Sequence, residues 1–571
     1  MIKIPYGISD FDKLRRDGAY YVDRTNYIEK LEASYTGDYV LFLRPRRFGK
    51  SLWISTLHHY YGIEYQADFQ RLFGDLYIGQ NPTQGANSYL VLRLNFSGIK
   101  RVEFERIETV FLELLRASMH DFFHAYTPTY FDPSDAEFID GQEDASALLR
   151  HFFQIVRSKK SNRRVYVLID EYDHFASALL VESKEAFLKT IGAGGFVRAF
   201  YESLKVGTES VIKRIFITGI SPLMMDSLYS GFNIATDLSR SVLFHNMLGF
   251  KEEEVSALLK ALGFEGHDFL KLLFQVRVWY NGYQFVEEDA PNRLYNPDML
   301  LYFANEYLRE KKFPKVLLDT NIASDYSKIE SAAKLGGEKC IEVLERLVRK
   351  EDYTATLTLR FSLDRRFTSD DFVSLLYYMG LLTIKGTKRF RANFGMPNYV
   401  IETLYYAYFL ELIRKRTQLS LGTNELDDAV VDMALDDNLK GFISLAEKVM
   451  QNLSNRDSLN FGEKHVQAIL FTLLYPTNIY SVITEYEVGR RYIDVFLQRR
   501  DDSMDINQFI LELKYLPKSK ANQLEKVREA GIEQIQAYAS HERFDSEPRL
   551  RAYLIVFVGA KAEVVEEVVF R

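Results

Sequence analysis

Residues 41–52 read LFLRPRRFGKSL. The stretch follows the apolar run YVLFL (39–43) and leads into a helical pattern, SLWISTLHHYYGIE, from Ser51. A phosphate-binding loop has the form G-x-x-x-x-G-K-[ST] between a strand and a helix. Gly49, Lys50 and Ser51 satisfy its second half, while Arg44 stands where the first glycine belongs. In such a loop the backbone N–H groups cradle phosphate at the helix N-terminus. Lys50 would reach the terminal phosphates of a nucleotide, and the Ser51 hydroxyl would ligate Mg²⁺. Arg44 removes a flexible position, not a group that touches phosphate. The competing reading is a basic turn after a strand, and this stretch alone leaves the two evenly matched.

A second stretch separates them. VYVLIDEYD (165–173) is an apolar, β-branched run ending in carboxylates. Such a run fits a strand covered on both faces. Asp170 falls at its carboxyl end, where open α/β sheets bind ligands. There it can hold Mg²⁺ through water, and Glu171 can orient and deprotonate an attacking water. Acids also favour helix starts, but two motifs in the right order on separate strands make a nucleotide site the preferred reading. Asp173 fits a supporting acid or a helix cap equally.

At 571 residues the chain exceeds one core, and three to five structural units are expected. A net charge of −7 excludes a uniformly basic nucleic-acid coat but leaves room for a local basic groove. The 37 Tyr and 42 Phe are read as core, not as a base-stacking surface. With Cys340 as the single cysteine, an intrachain disulfide and a thiolate zinc cluster are both excluded. The first residues lack the apolar segment of a signal peptide, and no apolar run approaches the ~18 residues of a membrane span. A cytoplasmic protein is expected.

Strands are also expected at 90–96 and 215–217, with an amphipathic helix from about Val102 to Tyr126. Strands alternating with long helices indicate a mostly parallel α/β sheet over residues 1–250. Helical patterns dominate 251–424, and TQLSLGTNELDD after Arg416 suggests a joint. From Gly462 the pattern runs helix, strand, strand, helix, strand, so a separate α/β domain is expected at 425–571.

That domain carries a second constellation. In FILELKYL (509–516), alternation puts Glu512 and Lys514 on one strand face and Leu511 and Leu513 on the other. In RRYIDVFL (490–497), Asp494 points one way and Ile493 and Val495 the other. An Asp followed by Glu-x-Lys across a hairpin is the spacing of the PD-(D/E)xK nuclease site. Two carboxylates there bind Mg²⁺ through hard oxygen ligands, and the lysine positions water or stabilises charge. Glu-x-Lys alone is weak, since surface strands alternate these residues routinely.

With these motifs the chain resembles the AAA-ATPase-like proteins that end in a nuclease-like domain. YYVDRTNYIEKL (20–31), RPRRFGKSL (44–52), VLIDEYD, ITGISPL (217–223), GFKEEEV (249–255), WYNGYQF (279–285) and LYNPDMLLYF (294–303) carry the resemblance. It makes Arg44 a family feature and puts Thr218 at a sensor-like position. In the terminal domain, Glu463 resembles an extra helical metal-binding carboxylate, and Gln534 with Tyr538 resembles a trailing helical pair. The implied fold is a P-loop NTPase (ASCE/AAA-like) parallel sheet with a helical middle segment, followed by a PD-(D/E)xK nuclease-like α/β domain. The implied cofactors are ATP and Mg²⁺, and the implied partner is DNA or RNA. Self-assembly into a homo-oligomer is frequent in this class, although no oligomerisation motif is visible. Arg46 or Arg47 could touch phosphate or a neighbouring subunit; the preferred reading pairs arginines 44, 46 and 47 with acids such as Asp23. Tyr280, Asn281 and Gly282 are expected in a packed turn. The rival functions are a nucleotide switch whose nuclease-like domain is silent, and an ATPase whose terminal domain serves assembly.

Overall fold

The computed structural model describes all residues except Met1, 99–105, 160–162, 175–183, 192–194, 225–231, 288–291, 315, 319–328, 330–332, 334–335, 362–365, 418–422, 455–461, 489–490, 501–504, 540, 542–543, 545–546, 548 and 570–571. Two compact units emerge. The first comprises Met1–Leu308, Ser327–Val343 and Asp352–Asn398, and the second Arg309–Tyr326, Leu344–Glu351 and Tyr399–Arg571.

The first unit is built on a parallel sheet of β1 (Tyr39–Leu43), β2 (Leu90–Asn95), β3 (Val165–Asp170), β4 (Ile212–Gly219) and β5 (Thr236–Asp237), in the order β2-β3-β4-β1-β5. Every residue of β3 is buried, as its unbroken apolar run requires. β4 lies between the strand that leads into the basic loop and the strand that ends in acids. Leu43 pairs with Gly219, and Ile169 with Ile217. This register aligns the carboxyl ends of β1, β3 and β4, so everything following them meets at one edge.

The helix Ile107–Tyr126 buries Phe111, Leu115, Met119, Phe122 and Tyr126, a stripe at helical spacing. Its rings pack on one another and on neighbouring elements. Phe111 stacks on Phe96 at 4.9 Å between centroids, and Phe122 meets Phe152 edge-on at 5.0 Å. Each ring buried in this way contributes about 1.5–3 kcal/mol of hydrophobic stabilisation. Much of the aromatic content is therefore core.

The middle of the chain is not purely helical. Helices Glu252–Ala261, Gly266–Tyr280, Pro297–Glu310 and Ser369–Tyr378 lie in this segment. A small antiparallel sheet joins them, with β6 (Tyr353–Ala355), β7 (Thr383–Lys388) and β8 (Arg391–Gly395) in the order β6-β8-β7. The Tyr280–Gly282 turn is tightly packed. Tyr280 is buried, and Gly282 has φ +115° with the Pro397 carbonyl where a Cβ would stand.

The second unit carries β9 (Tyr480–Val488), β10 (Arg491–Arg499), β11 (Gln508–Leu516), β12 (Leu550–Val558) and β13 (Lys561–Glu567), in the order β13-β12-β11-β10-β9. β10 and β11 pair antiparallel, while β11 and β12 run parallel, joined through the helix Leu524–Ala539. The helix Glu463–Leu474 buries Val466, Ile469, Leu470, Leu473 and Leu474. Helix Tyr399–Thr417 groups with this unit. Among the described residues no helix is long and apolar enough to cross a membrane.

Gly282→Ala tests the packed turn. It combines a left-handed backbone with a carbonyl overlap, so it should cost about 2 kcal/mol or more of stability, read by chemical denaturation.

Candidate functional site

Gly49 caps the helix Lys50–Tyr61 in the left-handed conformation, φ +91°, which glycine adopts without strain. The turn aims the first helical N–H groups at the carboxyl edge of the sheet. A cleft of about 470 Å³ opens there. Arg46, Lys50, Ser51, Glu171 and His174 line one part of it, and Ile8, Tyr21, Met247 and Leu301 another.

Arg44 does not face this cleft. It is 1% exposed, and its guanidinium donates to the carbonyls of Leu43 (2.9 Å), Ser239 (2.7 Å), Phe244 (3.4 Å) and His245 (3.3 Å). It also lies 4.2 Å from the Phe42 ring centre and 4.3 Å from that of Phe285. Burial lowers its pKa to about 10, so it stays charged at neutral pH. The first-glycine position thus holds a structural cation that ties the loop to the segment 239–245. The expected pairing of these arginines with Asp23 is not what forms. Asp23 accepts from Thr25 N (2.8 Å), Thr25 Oγ1 (2.7 Å) and Tyr77 N (2.8 Å), while Arg47 pairs with Asp298 at 2.5 Å. Asp23 is claimed by nearby backbone groups that fix a turn.

Lys50 is buried and donates to the carbonyls of Arg44 and Pro45, each at 3.0 Å. Burial lowers its pKa; Glu171, Asp170 and Asp173 counteract this. Asp170 is fully buried, and neither carboxylate oxygen has a hydrogen-bond partner within normal geometry. Burial raises its pKa, against the pull of the nearby Ser51 hydroxyl and the Lys50 ammonium. A buried carboxylate without donors, beside a serine hydroxyl, suits a hard cation. Ser51 and Asp170 are thus the groups that would hold Mg²⁺.

Glu171 sits in the left-handed region, φ +53°, and His174 Nδ1 approaches its Oε2 at 2.7 Å. Burial would raise its pKa, but the His174 bond, Lys50 and Arg46 bring it down to about 2. A carboxylate that acidic is a weak proton acceptor at neutral pH and suits holding water better than deprotonating it. His174 has no counterpart among the sequence expectations; its position in the turn three residues after Glu171 is the signal that could have found it. Asp173 is buried and accepts from Ile220 N (3.0 Å), Ser221 N (2.7 Å) and Ser221 Oγ (2.7 Å). It anchors the segment after β4. Thr218 donates to the Phe42 carbonyl at 2.7 Å, so its hydroxyl serves the β1–β4 pairing and does not line the cleft.

The aromatic blocks of the middle segment support the loop from behind. Phe48 meets Tyr283 at 5.1 Å and Phe285 at 5.2 Å, both edge-on. Asp298 holds Arg47, and Arg24 makes a two-armed bond to Glu254 and a 2.7 Å bond to the Gly249 carbonyl.

In the second unit, Val495 pairs with Leu511, and extending that register places Asp494 opposite Glu512. The Leu513 amide donates to Asp494 Oδ2 at 2.9 Å. Lys514 Nζ lies 2.5 Å from Glu512 Oε1 and 4.0 Å from Asp494 Oδ2. Tyr538 donates to the other Glu512 oxygen. Burial first, then the adjacent Glu512, pushes the Asp494 carboxyl upward from 3.8 towards neutrality. Glu463, on the helix Glu463–Leu474, is raised by burial and feels both Lys514 and Glu512. The sequence-expected residues therefore come together around Lys514. Gln534 does not join them: it is exposed, and Tyr538 alone of that pair reaches the site. Among the described residues no group of three or more His, Cys, Asp or Glu side chains converges tightly enough to hold a metal. Asp494 and Glu512 are the pair available.

The first unit thus has the fold of a P-loop nucleotide-binding module, and the second that of a nuclease-like module. Comparison with known proteins agrees. Residues 5–229 match the family model described as a predicted AAA-ATPase, and residues 461–567 that of the PD-(D/E)XK nuclease superfamily. The chain has this two-module architecture. It is also 30% identical over 325 residues to an "Uncharacterized protein in vnfD 5'region" of Azotobacter chroococcum mcd 1. That match covers 56% of this chain and 55% of the relative, so the chain spans about half the relative's length.

Two outcomes are expected. Arg44→Gly restores the consensus glycine but removes four buried carbonyl contacts; it should lower stability by about 3 kcal/mol without tightening nucleotide binding. The second concerns Asp494. A carboxyl with a raised folded-state pKa stabilises the fold below its unfolded value and loses that contribution as pH rises through the folded one. In metal-free thermal melts, wild type should therefore fall progressively below Asp494→Asn between about pH 4 and pH 7. Added Mn²⁺ should reverse the deficit.

Proposed function

We propose that the first unit binds and hydrolyses Mg-ATP and that the C-terminal module cleaves nucleic acid with a divalent cation, the nucleotide state controlling the cleavage. The observation that carries the nucleotide reading is Asp170, a buried carboxylate without donors facing Ser51 and Lys50 at the phosphate-binding loop. Gly49 and the following N–H groups would hold the phosphates, and Lys50 would exchange its two loop carbonyls for phosphate oxygens. Glu171, held by His174, would accept a hydrogen bond from the attacking water. Mg²⁺, when bound, supplies the charge that offsets the phosphate oxygens.

In the C-terminal module Asp494 and Glu512 would hold the cation, which supplies Lewis-acid activation when bound. Lys514 lies close enough to both carboxylates to steady a phosphate oxygen beside them. One observation favours a second reading, a silent nuclease-like module that only binds. Both Glu512 oxygens are already engaged, one by Lys514 and one by Tyr538.

One set of experiments tests both halves. Lys50→Ala should abolish Mg-ATP binding in calorimetry with native circular dichroism, and Glu171→Gln should bind ATP but turn over more slowly, because a neutral amide oxygen holds the attacking water less strongly than a carboxylate. Asp494→Ala, Glu512→Ala and Lys514→Ala should each remove Mg²⁺- or Mn²⁺-dependent cleavage of DNA or RNA while leaving ATP hydrolysis intact. Unaltered ATP binding by Lys50→Ala would refute the nucleotide site. A wild type that cuts no nucleic acid with either metal would establish the binding-only reading.

A further inference from the structure

The end of the second unit's sheet nearest Asp494 has an uncommon surface. Most large apolar side chains of that sheet are buried, yet Tyr492 is 62% exposed. It stands two residues before Asp494 on β10, and strand alternation gives both the same face. The step between them is about 7 Å, one nucleotide's reach. The β10–β11 pairing runs from Leu497/Phe509 to Val495/Leu511, and continuing that register past its end would bring Tyr492 towards Lys514. Among the described residues no hydrogen bond claims its hydroxyl, and the ring is open to solvent.

Cations collect at the same end. Arg491 begins β10, and Lys518 and Lys520 follow β11; all three are exposed. None has an acidic partner among the described residues. The acids Glu525 and Glu566 are instead taken up by Arg528. The Gly559 amide donates to the Leu516 carbonyl at 2.8 Å, and Lys518 lies over Gly559. Cationic side chains therefore continue from the start of β10, across Lys514, to the β12–β13 turn.

We infer that this end of the sheet is a single-strand track: a base stacks on Tyr492, the adjoining phosphate reaches Lys514 and the carboxylates, and Arg491, Lys518 and Lys520 follow the flanking phosphates. The inference rests on the nuclease reading above and names its substrate class. A ring face accepts any base that is splayed out, whereas bases paired inside a duplex are not presented to it. The combination of an exposed ring and unpaired cations beside two carboxylates matches nucleic acid better than an apolar protein surface, which would leave those charges without counterparts.

The experiment uses the full chain with Asp494→Asn, so that the probe survives. The probes are end-labelled oligothymidylate, oligouridylate and a DNA duplex, followed by fluorescence anisotropy. Tyr492→Ala should weaken both single-stranded probes about tenfold and change duplex binding little, and Tyr492→Phe should retain wild-type affinity. Tyr492→Trp supplies a direct readout, because the two native tryptophans, Trp53 and Trp279, are both buried in the first unit. Its fluorescence should be quenched by oligothymidylate or oligouridylate. Unequal quenching by these two would tell DNA from RNA. Single-strand binding unchanged in Tyr492→Ala, or no quenching of Tyr492→Trp on a probe that binds, overturns the stacking inference while leaving the nuclease reading intact. A protein that binds none of the probes overturns both.

Discussion

The phosphate-binding loop depends on a buried guanidinium held by backbone carbonyls, with no ion pair to an acid among the described residues. Taking such a cation out of water costs several kcal/mol unless its donors are met. Arg44 meets most of them with backbone carbonyls and two aromatic faces, while its Nε has no hydrogen-bond partner. Apart from the neighbouring Leu43 carbonyl and Phe42 ring, those groups come from residues 239–245 and from Phe285, far down the chain. The loop is therefore shaped by long-range packing where a glycine-led loop is shaped by backbone freedom. Arg47 and Asp298 make a second such tie.

This explains what the sequence could and could not disclose. β1, β3 and the helix after Gly49 were legible because their apolar runs and flanking residues are local signals. Asp170 and Glu171 were proposed from the acids that close an apolar strand, and Asp494, Glu512 and Lys514 from strand alternation, which fixes which side chains share a face. The partners of Arg44 were not, since carbonyl acceptors leave no trace in residue type. Asp173 and Thr218 carry the right chemistry for a site, yet their hydrogen bonds go to the backbone around β4. Likewise, the small sheet of residues 353–395 carries little local signal. TIKGTK and RANFG are short and contain few of the alternating apolar residues that mark a strand. β13 reads KAEVVEE, with mostly half-covered and exposed positions, and it lies at the sheet edge.

The two candidate sites solve the burial of carboxylates differently. Asp170 lies beside Ser51 and the Lys50 ammonium, and neither of its oxygens has a hydrogen-bond partner. Asp494 and Glu512 stand together and are already threaded into bonds from Lys514, Tyr538 and the Leu513 amide. A cation entering the first meets open oxygens. In the second it must redistribute bonds that also hold the strands.

The Leu513 amide makes that redistribution visible from within the backbone. Its proton is given to a side chain, Asp494 Oδ2, at the point where the β10–β11 pairing ends. Whatever turns the Asp494 carboxylate must loosen or tighten this amide. Its rate of solvent hydrogen exchange thus becomes an internal gauge of where that carboxylate points, readable by deuterium labelling without any substrate.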